Sequence, residues 1–286
     1  MSVPVFFEKN RFVCSPRMRN RVHPLPRTSL DSLIAVDIGN SRVKLGLFPL
    51  EQRGVLPEPE DTFRMGSDAP PPAELGRWLE SRRIGIPLEW QIGSVCRPAT
   101  TRLLEWIREF RPRDSVVLLS ADDVDLEVAP ACPDMVGIDR LLDAAAANAL
   151  RTPGRPAVVV DVGTAITVDF LDSAGVFQGG AILPGIAMSA LALHEFTDLL
   201  PRLEMNELLE PPEPIGRDTV AAMRSGLYWG ALGAVLELSR RMADASATEP
   251  EIFLTGGAGK QVAPLLGKAA GYVAELTLGG IALTAR

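Results

Sequence analysis

The stretch AVVVDVGTAITVDFLDSAGVFQGGAILPG, residues 157–185, decides the fold. Its opening run, Ala157-Val158-Val159-Val160, is apolar at every position, which suits a strand buried on both faces. The run ends in Asp161-Val162-Gly163-Thr164, and a second β-branched run, Ile166-Thr167-Val168-Asp169-Phe170, follows at once. Asp172-Ser173-Ala174-Gly175 reads as a turn; Val176-Phe177, Gly179-Gly180 and Ala181-Ile182-Leu183 then lead to Pro184-Gly185. The pattern predicts a three-strand meander that displays a carboxylate and a hydroxyl at its first hairpin. Gly163 has no Cβ, so backbone N–H groups there can approach an anion closely. A carboxylate beside a phosphate needs a cation between them. The stretch therefore points to a metal–phosphate loop, although a plain β-hairpin with an Asx-type turn carries the same signature.

The chain does this twice. Leu33-Ile34-Ala35-Val36-Asp37-Ile38-Gly39-Asn40-Ser41 is followed by Val43-Lys44-Leu45-Gly46-Leu47-Phe48. An apolar strand, Asp-x-Gly, a small polar residue and a second strand recur in the same order. Two copies predict two similar domains facing each other across a cleft, each offering a loop to one nucleotide.

The paired loops resemble the acetate and sugar kinase/actin-like ATPase superfamily, and within it the chain resembles the type III pantothenate kinases. The matching pieces are Asp37-Ile38-Gly39-Asn40-Ser41 with Lys44; Gly137-Ile138-Asp139-Arg140; and Asp161-Val162-Gly163-Thr164-Ala165-Ile166-Thr167. Gly179 to Gly185, Gly216-Arg217-Asp218-Thr219 and Thr255-Gly256-Gly257 continue the series, in the family's order, from about residue 32 onward. The resemblance implies an α/β fold of two duplicated actin-like ATPase (ribonuclease H-like) domains flanking a nucleotide cleft. Residues 32–152 would form the N-terminal domain, and residues 153–286 the C-terminal one with a dimerisation helix. It implies ATP-dependent phosphorylation of pantothenate to phosphopantothenate, the first step towards coenzyme A, in the cytoplasm.

Phosphoryl transfer needs charge neutralisation, in-line geometry and an acceptor for the hydroxyl proton. By resemblance, Asp37, Gly39, Asn40, Ser41 and Lys44 form the first ATP-binding motif, and Gly163 and Thr164 the second. Gly256 and Gly257 would let the adenosine lie against backbone. Asp139 would be the general base, since a carboxylate in reach of a primary hydroxyl can take its proton. Gly137 and Arg140 would bind pantothenate beside it. Asp161 would be the ligand of a monovalent cation (K+ or NH4+), used in addition to the Mg2+ that accompanies ATP. Thr219 matches the position from which a neighbouring subunit touches pantothenate, so a complete site would require a homodimer. Each assignment has a plainer counterpart. Lys44 could be a solvated strand residue, Asp139 and Thr219 helix N-cap residues, Gly256-Gly257 a helix-entry turn, and Thr167, which would line the second phosphate loop with Thr164, a strand residue.

With 286 residues the chain can bury one large core or two ordinary ones, and the repeat favours two. A formal net charge of −7 argues against nucleic acid as the main partner, and no apolar run is long enough to span a membrane. An acidic protein that handles ATP must concentrate its positive potential locally, so individual Lys and Arg residues near the loops matter. Cys14, Cys96 and Cys132 stand at spacings that give neither a disulfide framework nor a zinc pattern, which fits a reducing compartment. Only His23 and His194 are available, so His-based catalysis is disfavoured.

Residues 1–31 set Arg11, Arg17, Arg19, Arg21 and Arg27 among prolines without a sustained period, and read as a disordered basic arm, with Met18 an alternative start. Beyond the first hairpin the periodicity predicts a short strand near residues 62–64, a helix over 73–83, a strand over 88–95, and a helix from Pro98. The apolar stripe of that last helix is Leu103, Leu104, Ile107 and Phe110. Residues 115–119 read as a short buried strand. A helix over 139–150, nearly pure alanine on one side, is expected at the junction of the domains. Residues 186–196 read as a helix. The long helix over 218–245 carries Val220, Met223, Leu227, Tyr228, Leu232, Val235, Leu236 and Leu238, which wrap too far round for one buried stripe. Such a helix is either deep in a core or part of a subunit interface, and the interface reading makes Leu232 an interface position. Residues 251–254 read as a strand, and a last helix starts near Leu278.

The sequence departs from the family pattern in places. Ser41 replaces the usual threonine and keeps the hydroxyl; Asp143 and Cys132 stand where asparagine is common; Ala258 replaces a frequent acid; Gly279-Gly280 alters the ending. Two other readings fit the same fold: another small-metabolite kinase of the superfamily, or a nucleotide-binding accessory regulator. The intact Asp37, Asp139 and Asp161 favour catalysis.

Overall fold

A computed structural model of the chain describes residues 32–49, 54–82, 87–204, 210–246, 248–263 and 270–285. The arm expected at residues 1–31 lies outside them.

Strands β1 (Ser32–Ile38), β2 (Arg42–Pro49), β3 (Asp61–Gly66), β4 (Glu89–Ser94) and β5 (Ser115–Leu118) form one sheet in the order β3-β2-β1-β4-β5. The first three strands pair antiparallel, and β4 and β5 add in parallel. Strands β6 (Ala157–Val162), β7 (Ala165–Leu171), β8 (Phe177–Pro184), β9 (Glu251–Thr255) and β10 (Ala270–Tyr272) form the second, in the order β8-β7-β6-β9-β10. Its strand directions repeat those of the first sheet. The duplication expected from the two Asp-x-Gly hairpins is present strand for strand, and residues 157–184 form the expected meander.

Strand alternation divides the core. On β1, Ile34, Val36 and Ile38 face α1 (Ala73–Ser81) and α2 (Arg97–Phe110), meeting Leu75, Leu79, Leu103 and Ile107. The other face of β1, Leu33 and Ala35, joins Val159 and Leu171 of the second sheet in one continuous cluster. Between the sheets run α3 (Ile138–Leu150) and α7 (Leu276–Leu283), both contributing to that cluster. The alanines of α3 are the reason it fits there: Ala144, Ala146 and Ala147 are fully buried. A Cβ on Gly280 would stand 2.2 Å from the Leu142 carbonyl oxygen, so the unusual Gly279-Gly280 pair allows α7 to press on α3. The alternate residues of β6, Val158, Val160 and Val162, pack under α5 (Thr219–Asp244), against Leu232 and Val235. Helix α4 (Ile186–Glu195) lies on the first turns of α5, where Ala190 meets Met223 and Leu227. A short α6 (Gly259–Val262) follows β9.

Three expectations need correction. Strand β5 is exposed throughout, with Leu118 at 53%, because it is the edge of its sheet. Phe110 is 59% exposed at the last residue of α2, where its ring rests against Trp106. The surplus apolar surface of α5 is largely covered by its own chain: Leu232 is 6% exposed, held between β6 and its neighbours, and is a core residue. Two packing partners, the sheet and α4, meet this helix on different sides, which accounts for its wide apolar arc. Among the described residues Cys96 is a free cysteine.

Candidate active site

The two hairpin loops meet. Asp37 stands near the end of β1 and Asp161 at the equivalent place in β6. In the first loop Gly39 N–H donates to the Arg42 carbonyl at 3.0 Å, which closes the turn and presents Asn40 and Ser41. In the second, Gly163 N–H donates to the Ala165 carbonyl at 3.0 Å. Across the cleft the Thr164 hydroxyl donates to Ser41 Oγ at 2.8 Å, although 123 residues separate them. The second loop is buttressed from behind. Gly185 N–H donates to the Thr164 carbonyl at 3.0 Å, and a Cβ on Gly185 would lie 2.4 Å from two loop carbonyls. The first loop is strapped by a residue the sequence did not single out. The Ser67 hydroxyl donates to the Gly39 carbonyl at 2.7 Å, and Ser67 N–H to the Ser41 carbonyl at 3.2 Å. Arg102 of α2 in turn donates to the Ser67 carbonyl.

The floor of the cleft is acidic. Lys44 Nζ lies 3.4 Å from Asp37 Oδ2; burial lowers its pKa, but Asp37, Asp161, Asp143 and Glu275 together raise it by more, so it stays charged. Burial raises the pKa of Asp37, with Lys44 opposing. Burial lifts Asp161 from 3.8 to about 6; Lys44 pulls it down while Asp37 and Asp139 push it up. Asp143, on α3, is pushed well above the carboxylate range by burial and then by Asp161. Asp161 Oδ1 and Asp143 Oδ1 are buried and have no hydrogen-bond partner. Gly256, with φ +88°, closes over Asp161: a Cβ there would stand 2.2 Å from Asp161 Oδ1. The Gly256-Gly257 turn between β9 and α6 is thus fixed to the second carboxylate, and only glycine fits.

Asp139 and Arg140 open α3 after Gly137, which is its N-cap. Asp139 Oδ1 accepts from Arg140 N–H at 2.9 Å, and burial raises the Asp139 pKa. Asp139 is therefore a residue of the first turn rather than the cap itself. The arginine has a partner that sequence reasoning missed. Arg140 Nε lies 3.1 Å from both oxygens of Asp169, with Nη2 on Oδ1, and the guanidinium sits 5.7 Å from the Phe177 ring centroid. Asp169 is 1% exposed on β7, and Thr167 hydrogen-bonds it. A charged residue inside a β-branched strand was the available signal. A Cβ on Gly180 of the neighbouring β8 would strike Asp169 Oδ1 at 2.3 Å, so the Gly179-Gly180 pair makes room for this carboxylate. Thr219 is exposed at the first residue of α5, where Asp218 is the N-cap, accepting from Ala221 N–H at 2.8 Å. Among the described residues Thr219 makes no hydrogen bond to the cleft of its own chain.

Two duplicated α/β lobes with facing Asp-x-Gly loops and a carboxylate at the inner rim are the arrangement that the resemblance to phosphotransferases implied. The chain matches the type III pantothenate kinase family over residues 33–241. A type III pantothenate kinase of Dehalococcoides mccartyi (strain CBDB1) is 34% identical over 241 residues, covering 81% of this chain and 86% of its own. One from Paramagnetospirillum magneticum is 34% identical over 263 residues, covering 87% and 95%. One from Gluconobacter oxydans is 38% identical over 198 residues, covering 68% and 70%. The chain belongs to the type III pantothenate kinase family.

Proposed function

We propose that this cleft transfers the terminal phosphate of ATP to the primary hydroxyl of pantothenate, with Asp139 as the base that takes the hydroxyl proton. The observation that carries it is the Ser41–Thr164 contact at 2.8 Å, which supports a single phosphate site built by both loops over Asp37 and Asp161. Gly39, Asn40 and Ser41 would donate to the phosphates from one lobe, and Gly163 and Thr164 from the other. Gly256 and Gly257 would back the adenosine. The raised pKa of Asp139 suits a base, since a more basic carboxylate accepts a proton more readily. Gly137 would let pantothenate approach the start of α3, and Arg140, aimed by Asp169 and Phe177, would face its polar end. The lobes correspond to residues 32–152 and 153–286.

The residues present fit a cation. Asp161 Oδ1 is buried without a partner, and its donor type is the oxygen that K+ and Mg2+ prefer. No group of three acidic, His or Cys residues converges on one point among the described residues, so remaining ligands would come from backbone, hydroxyls, water and the nucleotide. Mg2+ with ATP and K+ or NH4+ at Asp161 would neutralise charge between carboxylates and phosphates.

We place the active unit as a homodimer in the cytoplasm. The chain leaves an apolar face beside the α4–α5 groove: Phe196 is 76% exposed, with Met188, Leu191 and Ile182 nearby in sequence also exposed. Thr219, exposed at the head of α5, is available to a partner's cleft. No described helix is long and apolar enough to cross a membrane. The test is ATP-dependent phosphorylation of pantothenate by purified protein in potassium and in sodium. Turnover that collapses in sodium is expected. Binding of ATP without turnover in either salt would favour a nucleotide-binding regulator.

A further inference from the structure

Lys44 and Arg140, the two cations assigned to the cleft above, are already held. Lys44 sits on Asp37 at 3.4 Å, and Arg140 is gripped by both oxygens of Asp169. Around them stand Asp37, Asp139, Asp143 and Asp161. A polyphosphate entering this cleft meets more negative charge than the engaged lysine offsets, and a free cationic side chain facing it would add to the neutralisation that the nucleotide's metal ion supplies.

Arg42 has that placement. It is two residues before Lys44 on β2, so the two side chains leave the same face of the strand. Its backbone belongs to the first phosphate loop, because the Arg42 carbonyl accepts from Gly39 N–H at 3.0 Å. Pairing with Gly66 of β3 fixes its position further. The side chain is exposed and makes no ion pair or hydrogen bond among the described residues. It reaches the other lobe: Nη1 lies 3.7 Å from where a Cβ on Gly257 would stand. Gly257 carries no side chain to fill that space, and Ser41, next to Arg42, already touches Thr164 of the second loop. The guanidinium therefore hangs between the first phosphate loop and the turn that closes over Asp161.

We infer that Arg42 is a nucleotide-binding residue that clamps the polyphosphate, its planar fork donating two N–H groups to non-bridging oxygens at the mouth of the cleft. An Arg fork matches phosphate geometry in a way a lysine point charge does not. Bound there, it ties the first lobe to the Gly256-Gly257 turn of the second through the ligand. The inference rests on the nucleotide reading of the cleft given above.

The experiment uses the full chain, with Arg42→Ala and Arg42→Lys beside the native protein. Magnesium-ATP binding is titrated without pantothenate, adenosine is measured as a competitor, and steady-state constants are taken for both substrates. Arg42→Ala should weaken ATP about ten- to a hundredfold, the scale of a lost hydrogen bond to a charged group. Arg42→Lys should recover part of it. Adenosine affinity, KM for pantothenate and the unliganded Tm should stay near native, because the side chain is exposed and touches no core residue. Unchanged ATP affinity in Arg42→Ala would overturn the inference. So would an equal loss for ATP and adenosine, or a rise in both KM values with a fall in Tm. Native protein that binds ATP but leaves pantothenate unphosphorylated would refute the substrate reading while the Arg42 comparison stood; native protein that binds no ATP would refute both.

Discussion

Replacing Asp161 by Asn should make the unliganded protein more stable at pH 8 while abolishing turnover. Burial and the neighbouring Asp37 and Asp139 raise the Asp161 pKa from 3.8 to about 6. The folded state thus holds this proton more tightly than the unfolded chain does. The stability it contributes is complete below 3.8 and is lost as pH rises through about 6. At about 1.4 kcal/mol for each tenfold in proton affinity, the loss by pH 8 is about 3 kcal/mol. A neutral amide of the same shape avoids it. That figure already includes the opposing attraction to Lys44, and it is an upper bound because a buried Asn amide brings two N–H donors that need partners. At roughly 2–4 °C per kcal/mol for a chain of this size class, Tm at pH 8 should rise by up to about 10 °C. Thermal unfolding of both proteins from pH 5 to pH 8 measures it, and the gap should shrink towards pH 5. Magnesium-ATP with potassium should stabilise the native protein more than the variant, since a cation at Asp161 relieves the same repulsion. A variant less stable than native at pH 8, or a gap independent of pH, would refute the view of Asp161 as a charge held at a cost for function.

Asp139→Asn should fold normally and lower turnover by about a hundredfold or more, the scale of lost general-base catalysis; near-native turnover would remove Asp139 from that role. Asp169→Asn should destabilise by about 3–5 kcal/mol in denaturant titration, because Arg140 is left buried and unpaired, and should raise KM for pantothenate while sparing KM for ATP. Phe196→Glu should reduce dimer content in sedimentation and activity together, where a fully active monomer would show that each chain carries a complete site. Leu232→Glu should instead unfold the second lobe, which circular dichroism would report, since Leu232 lies in the core under α5.

Much of the fold is local and therefore legible. The runs at 33–38 and 157–162 are apolar at successive positions and end in Asp-x-Gly, which fixes two buried strands, two tight turns and the placement of Asp37 and Asp161 at matching strand ends. The alanines of α3 foretold a close junction because helices approach only as near as their side chains allow. Periodicity, however, states which residues share a face and not what covers that face. Val116 and Leu118 of β5 read as buried, yet among the described residues no strand pairs with that edge of the sheet; the wide apolar arc of α5 read as core or interface, and β6 and α4 cover most of it. The partners across long loops were hidden for the same reason. Arg140 and Asp169 are 29 residues apart, Ser41 and Thr164 are 123 apart, and Arg42 meets Gly257 only because the lobes close on each other. The sequence by itself determined the two hairpins, their carboxylates and the kinase family. Only the tertiary structure decided that, among the described residues, Lys44 and Arg140 face carboxylates while Arg42 makes no ion pair, because Coulomb energy depends on distance in space and not on distance along the chain.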